Sequence, residues 1–282
     1  MIFYKTSSFG NDFIEIDEND LPDPGADKRP LVREICEPHR AVGADGVVFY
    51  RLGDDGIHFH IHNRDGGEAE LSGNGMAGLA AVLLERRLAS SPLLLLTRSG
   101  PRQVTWLGRD GPLFQLRVEI GVADFFDLRL FPFLKENQDR YAMAGLEFYP
   151  VSVGNPHAVV LCQEEPEVET LTALGEKLAR DSHFPFQVNV EWVHITANGP
   201  PEGTAALRPA SLCKVFFYER GVGPTQASST GSAAVFAVLR RLGRVQDSLE
   251  IDCGSERIVV SWQQGIFIHN ITRLVCWGEY YQ

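Results

Sequence analysis

At 282 residues, 44% hydrophobic and 22% charged, the chain has the make-up of a soluble globular protein with a large core, more naturally two domains than one. Acidic side chains outnumber basic ones by 37 to 26, a net charge of -11, which argues against a nucleic-acid or anionic-membrane binder. The first residues show no basic stretch leading into an apolar one, no apolar run reaches the ~18 residues of a membrane span, and Cys36, Cys162, Cys213, Cys253 and Cys276 stand singly without a CxxC pair, so a cytoplasmic protein with reduced thiols is expected.

In chain order, residues 1–16 read as strand, turn, strand, with Gly10 and Asn11 in the turn. Residues 20–30 form a loop by their Pro, Gly and Asp content, residues 31–39 a short helix, and residues 42–50 turn on Asp45 and Gly46 into a strand. IHFHIHN, residues 57–63, alternates with strand period and puts His58, His60 and His62 on one face. No carboxylate or thiolate at matched spacing closes a zinc sphere, so the trio is read as a polar strand face and no metal is assigned. A sharp turn at residues 63–67 leads to SGNGMAGLAAVLLER, residues 72–86, an apolar helix with a Ser, Gly and Asn start. Strands occupy residues 92–120, and residues 124–144 form an irregular, Phe-rich link.

The second half repeats the plan. Residues 149–153 form a strand, Gly154-Asn155-Pro156-His157 a tight turn, and AVVLC another strand. Residues 167–180 form an amphipathic helix, and residues 186–195, FQVNVEWVHI, a strand carrying Asn189. KVFFYERGVGPTQ ends its strand on Glu219 and Arg220. SSTGSAAVFAVLRRL, residues 228–242, is a second helix with a serine start, and residues 249–277 are closing strands.

Laid over each other without gaps, the two serine helices share six of fifteen positions: Ser72/Ser228, Gly75/Gly231, Ala77/Ala233, Ala81/Ala237, Val82/Val238 and Leu83/Leu239. A helix start exposes unpaired N–H groups and the positive end of the helix dipole, which suits a carboxylate or phosphate. One such start is ordinarily a cap and no more. Two matched copies suggest two half-sites facing one anionic ligand. The expected fold class is α/β (α+β): two pseudo-symmetric lobes, residues 1–120 completed by about 267–282 and residues 121–266. Each lobe wraps a barrel-like sheet round a central helix, with a ligand cleft between them.

Six segments in order carry a family resemblance: FGNDF (residues 9–13), GADG (43–46), NRDGGEAELSGNG (63–75), GNPH (154–157), VNV (188–190) and YERGVGPTQASSTG (218–231). The chain resembles diaminopimelate epimerase, within the proline-racemase-like group of cofactor-independent isomerases. The resemblance implies inversion of an α-carbon by two opposed bases (LL- to meso-diaminopimelate), with no cofactor, in lysine and cell-wall precursor synthesis, by a cytoplasmic homodimer. It puts the two catalytic positions at Ser72 and Ser228, where the family uses Cys, and puts His157 and Glu219 at positions that tune them. Asn11, Asn63, Asn155, Asn189, Glu219 and Arg220 correspond to substrate contacts, and Gly73, Asn74, Ser229 and Thr230 supply N–H groups to the α-carboxylate. Arg220 offers a planar fork for a carboxylate. The chain also departs from the family at Ala77, where many members carry Arg, and at Ser229, which replaces a Gly.

A serine hydroxyl is a poor base without an activating partner. The Ser/Ser form is therefore expected to be inactive or nearly so. Two alternatives stand beside it: another proline-racemase-like isomerase or dehydratase acting on a different amino acid, and a non-catalytic amino-acid-binding homologue. The expected partner is a small amino acid, without nucleic acid or membrane.

Overall fold

A computed structural model describes residues 1–165, 167–195, 212–254 and 256–281. Contacts divide the chain into two compact units, Met1–Glu119 with His269–Gln282, and Ile120–Ile268.

Unit 1 opens on a hairpin of β1 (Ile2–Ser8) and β2 (Asn11–Asp17), whose turn puts both Phe9 and Gly10 at positive φ. α1 (Arg29–Ile35) leads to β3 (Gly46–Gly53), parallel to β2, and β3 folds back antiparallel as β4 (Gly56–Asn63). A short β5 (Glu68–Ala69) precedes α2 (Gly73–Glu85). That helix crosses to β6 (Leu93–Thr97), parallel to β4, and the antiparallel strands β7 (Gly100–Asp110) and β8 (Leu113–Gly121) follow.

Unit 2 repeats this order. β9 (Tyr141–Met143) pairs with β10 (Leu146–Ser152), which forms a hairpin with β11 (Pro156–Cys162). α3 (Val168–Ala179) leads to β12 (Asn189–Ile195), parallel to β11, and β13 (Leu212–Glu219) lies antiparallel to β12. The short β14 (Gly223–Thr225) precedes α4 (Ser229–Arg241), which crosses to β15 (Ser248–Asp252), parallel to β13, and then to β16 (Arg257–Trp262). In unit 1 the last strand, β17 (Ile266–Glu279), pairs with β8 and β1, so the ladder β1-β2-β3-β4-β6-β7-β8-β17 closes on itself. Both crossover helices arise from serine-capped, Ala-rich segments.

The long helices are the cores of their units. Every residue of α2 from Gly73 to Leu83 is buried, and every residue of α4 from Ser229 to Leu239. A helix apolar on all sides is stable only when enclosed, and here strands enclose it. Both helices end alike. Arg87 and Gly243 take left-handed φ just past the caps, and the next residue donates back to the helix, Leu88 N to Leu83 O at 2.9 Å and Arg244 N to Leu239 O at 2.9 Å.

Two boundaries differ from the sequence expectation. The first helix runs Arg29–Ile35 rather than 31–39, because Pro30 starts it and Cys36 caps it two residues before Pro38. The strand expected from residue 186 begins at Asn189, since Gln187 takes a φ of 58° that breaks the extended run.

Close approach fixes one glycine in α2. An ideal Cβ on Gly78 would lie 2.4 Å from both Glu15 Oε1 and Thr6 Oγ1, which are hydrogen-bonded to each other at 2.6 Å in the core. Gly78→Ala is expected to cost about 2–4 kcal/mol, by overpacking and by splitting that pair. A lowered urea midpoint checks it.

Candidate active site

The serine starts behave alike in the two units. Ser72 has extended backbone, φ -145° and ψ 117°, and its Oγ accepts from Gly75 N at 3.1 Å. Ser228 has φ -138° and ψ 123°, and its Oγ accepts from Gly231 N at 3.2 Å. Both are N-caps, and each retains a hydroxyl proton to donate.

At the unit 1 mouth, Asn11 Oδ1 accepts from Asn74 Nδ2 at 2.8 Å, and Asn11 Nδ2 donates to Asp45 Oδ2 at 3.4 Å. Asn74 Oδ1 in turn accepts from Asn270 Nδ2 at 3.2 Å, and Asn270 is held by Ser8 and Thr272. Asn11 and Asn74 are thus brought together with Gly73 on the first turn of α2. Asn63 ends β4, and its backbone closes the turn through Gly66 and Gly67.

The unit 2 mouth gathers more chemistry. His157, fully buried on β11, has Nδ1 at 2.6 Å from Glu191 Oε1 and Nε2 at 2.9 Å from Asn155 Oδ1. Asn155 Nδ2 reaches Thr230 Oγ1 on α4 at 3.4 Å. Asn189 bridges backbone groups, accepting from Arg220 N at 3.0 Å and donating to Pro156 O at 3.0 Å. The Arg220 guanidinium donates to Phe186 O at 3.0 Å.

Glu219 ends β13, where its Oε1 accepts from Thr225 at 2.6 Å. Burial pushes this carboxyl above its ordinary value and the Glu191 charge adds to the rise, while the Thr225 hydrogen bond, the charge of His157 and the Ser228 hydroxyl oppose it.

Glu191, Thr225, Asp45 and Asn270 belong to these networks although their sequence context does not mark them. Four of the five cysteines sit where the thiolate is disfavoured. Burial pushes Cys36, Cys213 and Cys253 up to about 12 and raises Cys162 as well, so these four stay protonated near neutral pH. The histidine trio of β4 turns to Asp55, Glu18 and the Gly66 carbonyl. Among the described residues, no group of three or more His, Cys, Asp or Glu could hold a metal ion.

The model of the family described as diaminopimelate epimerase matches residues 3–126 and 149–266. The diaminopimelate epimerase of Methanothermobacter thermautotrophicus is 31% identical over 94% of this chain and 92% of its own length. That of Carboxydothermus hydrogenoformans is 30% identical over 100% of both chains. Among solved structures, a hydroxyproline epimerase from Agrobacterium vitis with bound trans-4-hydroxy-L-proline superposes with a TM-score of 0.64 at 17% identity, covering 100% of this chain and 91% of that one. A phenazine biosynthesis protein of the PhzF family from Bacillus anthracis gives 0.63 at 14% identity, covering 100% and 99%. At such identities the likeness is one of fold.

Proposed function

The chain belongs to the diaminopimelate epimerase family of cofactor-independent isomerases, and we propose that it binds a diaminopimelate-like amino acid while epimerising it slowly or not at all. One observation carries this reading: Ser72 and Ser228 cap α2 and α4 in the same geometry, and we take these hydroxyls to stand at the two reacting positions, in place of thiols. Inversion by two bases needs one group to take the α-proton and another to return one to the opposite face. A positioned general base contributes about 10²–10⁴-fold, and an unassisted hydroxyl forfeits that at each position.

Binding is a separate matter, because it rests on groups that are all present. The amides of Gly73, Asn74, Ser229 and Thr230 suit the α-carboxylate. Asn11, Asn63, Asn155 and Asn189 can meet either end of an amino acid, with Glu219 for an ammonium and Arg220 for a carboxylate. His157 and Glu219 tune the reacting positions. Homodimeric assembly, a cytoplasmic location, a place in lysine synthesis, and independence of metal, nucleic acid and membrane complete the reading.

The buried Glu219 carboxyl, held by Thr225 and lowered in part by the Ser228 hydroxyl, favours a second reading, a one-base isomerisation or dehydration of a different amino acid. Titration calorimetry with LL- and meso-diaminopimelate, paired with α-proton exchange in deuterated water, tests both. Binding without exchange is expected. Failure to bind removes the substrate, and turnover of another amino acid by the Ser form establishes the second reading.

A further inference from the structure

Behind each long helix lies a buried glutamate, and the two are not equivalent. In the parallel pair β2–β3, Glu15 stands opposite Val48; in the parallel pair β11–β12, Val159 stands opposite Glu191. The carboxylate has changed strands between the repeats, and a valine fills each vacated place. An apolar side chain therefore suffices at either position for packing. Glu15 reaches only Thr6 among the described residues, whereas Glu191 reaches a histidine that leads on to the mouth of α4.

We infer that Glu191 is a positioning residue: through His157 it holds the Asn155 amide against Thr230 on the first turn of α4. The chain of contacts is continuous, from Glu191 Oε1 to His157 Nδ1 at 2.6 Å, from Nε2 to Asn155 Oδ1 at 2.9 Å, and from Asn155 Nδ2 to Thr230 Oγ1 at 3.4 Å. Glu191 is 1% exposed and His157 0%, so water does not compete for these bonds. The contact of Nδ1 with the Glu191 carboxyl sets the ring's orientation and turns Nε2 to Asn155, where an Nε2 proton is donated to the amide oxygen. Glu191 Oε1 also lies against Gly231, where an ideal Cβ would come within 2.9 Å, so the carboxylate supports the turn whose Gly231 amide is capped by Ser228 Oγ. Its second oxygen is buried without a hydrogen-bond partner among the described residues. Glu15 Oε2 is buried in the same way, so it is the histidine contact that sets Glu191 apart.

This inference rests on the reading of the α4 mouth as a ligand site, and two variants test it separately from that reading. Glu191→Gln keeps the shape and removes the charge; Glu191→Val copies the residue that unit 1 carries. In the ligand-free protein, NMR of ¹⁵N-histidine-labelled chain should show a low-field proton in the hydrogen bond between His157 Nδ1 and Glu191. That signal should shift in the Gln variant and vanish in the Val variant, with the Asn155 side-chain amide and the Thr230 methyl moving in both. Affinity for meso-diaminopimelate should fall about tenfold in each, and Glu191→Asp should recover part of it. Unchanged His157 and Asn155 signals in a folded variant overturn the inference, as does unchanged affinity where the parent chain binds. If the parent chain does not bind diaminopimelate, the substrate reading fails alone, and the ligand-free signals still decide the role of Glu191.

Discussion

With cysteine at both helix caps, Ser72→Cys and Ser228→Cys together, α-proton exchange of diaminopimelate is expected to rise by about 10³-fold or more over the Ser/Ser chain. A thiol at a helix start has a lowered pKa because the positive helix end favours the thiolate. The Oγ atoms already sit at that end, accepting from the amides of Gly75 and Gly231. The single replacements separate the two roles. Ser72→Cys or Ser228→Cys alone supplies one base, so the α-position should exchange with solvent deuterium while its configuration changes far more slowly. Deuterium incorporation read by mass spectrometry, alongside the LL-to-meso ratio read by chiral chromatography, distinguishes these outcomes. A double-Cys protein that neither exchanges nor binds diaminopimelate would show that the ligand has been misassigned.

Glu15→Gln is expected to remove a pH dependence from folding. Glu15 is fully buried, and that burial, aided by the charge of Asp12 and opposed by the Thr6 hydrogen bond, pushes its carboxyl well above the ordinary value. The folded chain then keeps a proton that the unfolded chain releases. Stability contributed by this site is greatest below the ordinary carboxylate value and declines as pH rises towards the folded pKa, by about 1.4 kcal/mol per pH unit. Glutamine cannot ionise, so the variant should lose this slope even if its midpoint at low pH is lower. Urea melts from pH 5 to 8, with hydrogen exchange of the α2 amides to isolate unit 1, measure the slope. Parallel slopes for parent and variant would mean that Glu15 ionises freely in the fold.

Much of this architecture was legible in the residues. The serine starts announced themselves because caps and small first-turn residues are chosen locally, and the duplicated Ala-Val-Leu run predicted two enclosed helices. The polar wiring was hidden for an equally physical reason. In VNVEWVHI the alternation of Asn189 and Glu191 with Val190 and Trp192 reads as one wet and one dry face, yet both faces of β12 are covered and the first five residues of the strand are buried. A glutamate bonded to a histidine from the neighbouring strand looks, in one dimension, like a surface glutamate. Glu15 in FIEI misleads the same way. Boundaries shifted where a single residue left the extended or helical region, as Gln187 did with its left-handed φ.

The doubled cap has a consequence for evolution and engineering alike. Oxygen anchors the opening turn of a helix far better than sulfur does, by about 1 kcal/mol when a good capping side chain is lost. A lineage with thiols at these mouths therefore gives up anchorage at two central helices in exchange for reactivity. The chain described here stands at the opposite pole of that exchange, with Ser72 and Ser228 fastening its two central helices through oxygen.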